Sequence, residues 1–118
     1  LDVLTLTDAA SVAIAGDLTL TELATTVAAD YALSAVLERG GARYKGWAAI
    51  ADYFDTVPGR LAGRAISFES IEALGADQAR VVWHLSGADK TPLTGADTFT
   101  VAAGRIAHQL VELSGGDF

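Results

Sequence analysis

Helical patterning in this 118-residue chain stops by Val57, and every patterned segment after about Leu61 reads as a strand. The strands cover residues 65–73, 78–86, 94–101 and 105–113, and Gly75-Ala76-Asp77, Gly87-Ala88-Asp89 and Ala103-Gly104 separate them. Short turns between consecutive strands imply an antiparallel meander. Helices first and a sheet afterwards is the order of an α+β domain, not the alternation that builds parallel sheets. Such a sheet has to bury one face against the helices that precede it.

The first half supplies those helices. Residues 7–15, TDAASVAIA, read as a short helix capped by Thr7 or Asp8 and ended by Gly16. Thr19-Leu20-Thr21-Glu22 is a capping box, and Leu20, Leu23, Ala24, Val27 and Ala28 then recur at helical spacing, with Asp30 just beyond the end. Residues 31–38 turn toward strand, and Gly40-Gly41 leads into a short stretch at 42–45. A third helix starts near Gly46, buries Trp47, Ile50, Ala51 and Phe54 along one stripe, and ends at Pro58-Gly59.

Composition narrows the function. With 51% hydrophobic and 19% charged residues the chain is not disordered, and its length predicts one domain over residues 1–118. A formal charge of −7 repels phosphate backbones and anionic lipid surfaces, and Arg39, Arg43 and Lys45 form the one local basic group. Neither a nucleic acid nor a membrane is expected as partner. There is no cysteine, and the two histidines, 84 and 108, give no metal-ligand spacing, so no metal or cofactor is expected. No apolar run approaches the roughly 20 residues that span a bilayer, and the opening LDVLTLTD lacks a positive n-region. The expected location is cytoplasmic, although a start without Met leaves room for a removed targeting segment.

Several landmarks in register resemble the nuclear transport factor 2-like superfamily, in its SnoaL-like polyketide cyclase and ketosteroid isomerase branches. They are Gly16-Asp17-Leu18, the run Gly46-Trp47-Ala48-Ala49-Ile50-Ala51-Asp52-Tyr53-Phe54, then Gly95-Ala96-Asp97-Thr98-Phe99-Thr100-Val101 and Gly104-Arg105-Ile106. The resemblance implies a cone-shaped, strongly curved antiparallel sheet wrapped around helices, a cystatin-like α+β roll. It further implies an apolar pocket for a small hydrophobic ligand and a homodimer through the outer sheet face. By the same resemblance, isomerases, cyclases, dehydratases, epoxide hydrolases and non-enzymatic binding modules share this scaffold, so function has to be argued from the pocket.

Asp97 leads the candidates, because it shares one strand face with Phe99 and Val101, which sets a carboxyl among apolar neighbours. By resemblance it stands where ketosteroid isomerases keep a protonated Asp, the handling of a carboxyl kept neutral by an apolar site. His84 lies in a strand apolar on both faces. Counting from Asp77 turns Val82 and His84 inward and Trp83 outward, which predicts an Asp97–His84 acid/base pair. A core or interface histidine is the alternative. Tyr53, where the isomerases set an aromatic residue against the ligand, and Gln109, on the Ala107, Gln109, Val111 and Leu113 face, are candidates for orienting a ligand. Phe99, Val82 and Trp47 are expected to line the pocket. The opposite face of the last strand, Ile106, His108 and Leu110, reads as an interface.

The isomerase pattern is incomplete. Its first-helix tyrosine falls on Ala9 and its base on Ala35 or Leu37, and Glu38 has the wrong parity to replace that base without a bulge. The function expected is acid/base isomerisation, cyclisation or lysis of a cyclic carbonyl compound. A non-catalytic binding module or a structural dimerisation domain is the alternative.

Overall fold

Helix α1 (Leu20–Asp30) begins where the capping box sets its start, and in the computed structural model, which describes residues 20–114, it takes in Asp30 as its last residue. The helix expected at 7–15 lies outside the described residues, as does Ala9. The chain then passes directly into β1 (Tyr31–Arg39), turns through Gly40-Gly41, and returns as β2 (Ala42–Lys45). Gly46 starts α2 (Trp47–Leu61) at φ 87°, a conformation open to glycine, and its N–H donates to the Ala35 carbonyl at 2.9 Å. That bond ties the start of the helix to the sheet.

Pro58 does not end α2. It opens the last turn, and the helix runs on to Leu61 before Ala62 turns left-handed at φ 53°. Proline removes one intrahelical donor there, while Val57 and Leu61 on either side stay buried and hold the turn in place. Local breaking chemistry loses to packing.

The four remaining strands follow the expected meander: β3 (Ala65–Ala73), β4 (Gln78–Ser86), β5 (Leu93–Ala102) and β6 (Arg105–Ser114). They form one six-stranded sheet in the order β2-β1-β6-β5-β4-β3. All neighbours are antiparallel except β1 and β6, which run parallel. Register shifts between Tyr31 and Val36, between Phe68 and Ser70, and between Thr100 and Val101 interrupt the ladders. Such bulges add local twist and bend, and the sheet curves without closing.

The concave face packs on the helices. Ala35 and Leu37 of β1, Val81, Trp83 and Leu85 of β4, Phe99 of β5 and Val111 of β6 meet Ile50, Phe54, Val57 and Leu61 of α2 in one core. Leu37, Ile50, Leu85 and Ile106 are among the largest fully buried side chains, and each contributes about 2 kcal/mol by leaving water. Ile106 corrects the expected face of β6. Thr100 pairs with His108 and Val101 with Ile106, so Ala107 is an extra residue that changes the phase of the strand. Ile106 thereby joins the core, while His108 stays outside.

Candidate functional site

β5 brings the central carboxyl in through a gap made by glycine. Trp83 of β4 stands opposite Gly95 of β5. A Cβ on Gly95 would lie 2.3 and 2.5 Å from indole carbons of Trp83 and 2.7 Å from the Glu112 carbonyl oxygen. Only a residue without a side chain lets the indole lie across β5. In that position the Trp83 Nε1–H donates to Asp97 Oδ1 at 3.2 Å.

The other carboxylate oxygen, Oδ2, accepts from Gln109 Nε2 at 3.1 Å. The Gln109 carbonyl oxygen in turn accepts from the hydroxyl of Tyr31, a buried pair contributed by β6 and β1. The result is a hydrogen-bonded chain, Tyr31–Gln109–Asp97–Trp83, running across β1, β6, β5 and β4 inside an otherwise apolar core. The Asp97 carboxyl is half-buried among these groups, and burial pushes its pKa up to about 6, against the lowering effect of the Trp83 and Gln109 donors.

Asp97 and Gln109 border a cavity of about 30 Å³ whose remaining wall includes Tyr53, Phe54, Leu61, Ile66 and Trp83. Tyr53 is buried, packs against Tyr44 with ring centres 4.9 Å apart and planes tilted by 46°, and lies beneath the Arg39 guanidinium at 5.9 Å from its ring centre. Burial outweighs the nearby cation and raises the Tyr53 pKa to about 12, so its hydroxyl keeps its proton through the physiological range.

Asp97 and His84 do not meet. Burial alternates along β4 with Ala79, Val81, Trp83 and Leu85 inward, the reverse of the parity counted from Asp77. His84 and Val82 therefore line a separate groove on the convex face with Glu69, Arg80 and Glu112, and His84 Nε2 lies 3.1 Å from Glu69. With apolar residues on both faces of β4, the choice of side falls to the neighbouring strand. Gly95 makes room inside for an indole, and Thr94 stands beside His84 outside.

The other candidates divide as well. Phe99 is buried on the Asp97 face but is not part of the cavity wall. Trp47 packs at the start of α2 and donates its Nε1–H to the Tyr31 carbonyl at 2.9 Å, so it anchors β1 and does not line the cavity. Glu38 faces outward, where it binds His108 at 2.8 Å and Arg43 at 3.1 Å. Ala35 and Leu37 are fully buried, so no carboxyl occupies the position of the isomerase base. Sequence reasoning missed Tyr31 and Trp83. The signal for Trp83 was a glycine in mid-strand beside an aromatic-bearing strand; Tyr31 had none, because its partner is 78 residues away.

Comparison with known proteins agrees with this architecture. The family model for the SnoaL-like domain matches residues 9–109. A protein from Agrobacterium tumefaciens, provisionally named an isomerase of the SnoaL-like family, superposes with a TM-score of 0.78 at 18% identity, covering 95% of this chain and 97% of its own. One from Sinorhizobium meliloti, provisionally named a polyketide cyclase, is 25% identical with a TM-score of 0.64, covering 84% of this chain and 90% of its own. A protein of unknown function with a cystatin-like fold, from Methylobium petroleophilum, gives 0.70 at 16% identity over 96% of this chain and 75% of its own. Among curated proteins nothing matches significantly. With the family model spanning most of its length and the sheet and helices in the expected order, this chain belongs to the SnoaL-like domain family.

Proposed function

We propose that this chain binds a small hydrophobic molecule in the Asp97 cavity and acts on it as an isomerase, cyclase or lyase, with Asp97 as the acid/base group for a cyclic carbonyl compound. The observation that carries this reading is a carboxyl set among apolar side chains and held by two donors, with a pKa of about 6. Near neutral pH such a group is mostly ionised yet poised to receive a proton. It can take one from the carbon beside a carbonyl and return it elsewhere on the same molecule. Tyr53, neutral and at the cavity wall, is the donor available for the carbonyl oxygen. Gln109 is engaged by Tyr31 and Asp97 together, so it orients the carboxylate and does not read the ligand.

The test is Asp97→Asn against a panel of steroids, aromatic polyketides and terpenoid ketones. Binding, read as a rise in melting temperature, should persist, while turnover falls by roughly 10²–10⁴-fold. Equal turnover in both proteins would remove Asp97 from the chemistry.

A second reading, a non-catalytic binding or dimerisation module, is favoured by the cavity volume. About 30 Å³ is far below the roughly 300–1,000 Å³ of an ordinary ligand pocket. Under that reading no panel member turns over. Both readings include a homodimer through the convex sheet face, where Val82, Ala96 and Leu110 lie among the His84–Glu69 and His108–Glu38 pairs. Sedimentation at micromolar concentration should give twice the 12.2 kDa chain mass, and a monomer there counts against the dimer.

A further inference from the structure

We infer that Tyr31 is a positioning residue that governs the charge of Asp97 through Gln109, by locking the Gln109 amide in the orientation that presents its N–H to the carboxylate. The geometry allows two self-consistent proton arrangements along the chain. In the one observed, the Tyr31 hydroxyl donates to Gln109 Oε1 and Gln109 Nε2 donates to an ionised Asp97 at 3.1 Å. In the other the amide is reversed: a protonated Asp97 donates to Gln109 Oε1, and Gln109 Nε2 donates to the Tyr31 oxygen. With the reversed amide facing a carboxylate, or the observed amide facing a proton on Oδ2, two acceptors or two donors would be set against each other, which is costly.

Tyr31 decides between the two. In the observed arrangement its hydroxyl proton is used, whereas in the reversed one that proton loses its acceptor on Gln109. The hydroxyl is therefore worth one buried hydrogen bond to the ionised form of Asp97. A proton taken on Oδ2 turns the amide over with it, so there carboxyl and amide switch together, whereas a proton taken on Oδ1 leaves Oδ2 accepting from Gln109. The titratable and charged groups facing the carboxyl are Tyr31 from β1 and Tyr53 from α2, with Arg39 beyond the Tyr53 ring. Both phenols are held neutral by burial, which leaves the hydrogen-bond chain as the means by which β1 acts on Asp97.

Phenylalanine at 31 keeps the ring contact with Phe54 and removes the hydroxyl alone. Titrating the Asp97 carboxyl carbon by NMR in the free protein needs no ligand, so the outcome is independent of the proposed chemistry, although its use in a reaction rests on that reading. Tyr31→Phe should raise the Asp97 midpoint by roughly one pH unit, the value of one hydrogen bond. Gln109→Leu should raise it at least as far, and adding Tyr31→Phe to Gln109→Leu should add nothing. The inference is overturned by an unchanged midpoint in Tyr31→Phe, or by an equal rise when Gln109 is already gone, which would mean direct action. If Gln109→Leu does not fold, the wild-type Gln109 side-chain amide resonances serve instead: they should follow the Asp97 midpoint, and their failure to do so overturns the relay equally.

Discussion

Replacing Gly95 with alanine, which makes the shortest Cβ approach among the described glycines, is expected to lower the melting temperature by on the order of 10 °C. The new Cβ would overlap two indole carbons of Trp83, at 2.3 and 2.5 Å, and the Glu112 carbonyl oxygen, at 2.7 Å. The indole can swing away, but the carbonyl belongs to the backbone of β6 and cannot. Relief therefore needs a shift of one strand against its neighbour, at about 2–3 kcal/mol for overpacking with a further cost of about 1 kcal/mol for the Trp83–Asp97 hydrogen bond. Thermal unfolding followed by near-ultraviolet circular dichroism reports both, because Trp83 is a buried chromophore. A variant as stable as the parent would show that the indole does not lie over Gly95.

The second large effect concerns pH. Asp97 has a folded pKa of about 6 against an ordinary value of 3.8, so between those values the folded protein binds a proton that the unfolded chain has lost. Stability attached to this group is highest below 3.8 and falls as pH rises through 6. The carboxylate then costs about 3 kcal/mol at neutral pH. Asp97→Asn removes that cost. Its amide can still accept from Trp83, and a reversed Gln109 can accept its N–H while donating to Tyr31. We expect the variant to be more stable than the parent at pH 7 by about 2 kcal/mol and equal to it near pH 4, as measured by urea unfolding at both pH values. Asp30, also raised by burial, contributes in the same sense to both proteins, so the difference between them isolates Asp97. A loss of stability at pH 7 would identify Asp97 as a structural anchor.

Stability gained by removing a charged group from a cavity is what a functional carboxyl predicts, since a purely structural position has no reason to retain the cost. Stability and turnover in the same Asp97→Asn protein therefore answer different questions.

Much of the fold was legible because it is written locally. Capping chemistry at Thr19 to Glu22 and glycine turns between alternating strands set the start of α1 and the limits of β3 through β6 within a residue or so. Asp97 was legible too, as a carboxyl on an apolar strand face. What escaped depends on partners distant in sequence. The parity of β4 is carried by Gly95, not by β4 itself, so His84 was turned the wrong way. The face of Ile106 depends on a bulge at Ala107 that no pattern in β6 announces. The length of α2 past Pro58 is decided by the burial of Leu61, a tertiary fact. Size is the least legible property of all: an apolar lining reads the same whether the cavity it encloses is large or small.

The parallel pairing of β1 with β6 has a consequence for synthesis. β6 is latest in sequence of the six strands, yet it lies third in the sheet, between β1 and β5. Until it leaves the ribosome, the β1–β2 hairpin and the β3–β4–β5 meander have no hydrogen-bonded connection, and each offers an open strand edge to other chains. Gln109, which lies on β6, arrives with it. The nascent protein thus acquires its continuous six-stranded sheet and the polar chain around Asp97 in the same event, so no partly built form carries the carboxyl in its finished setting.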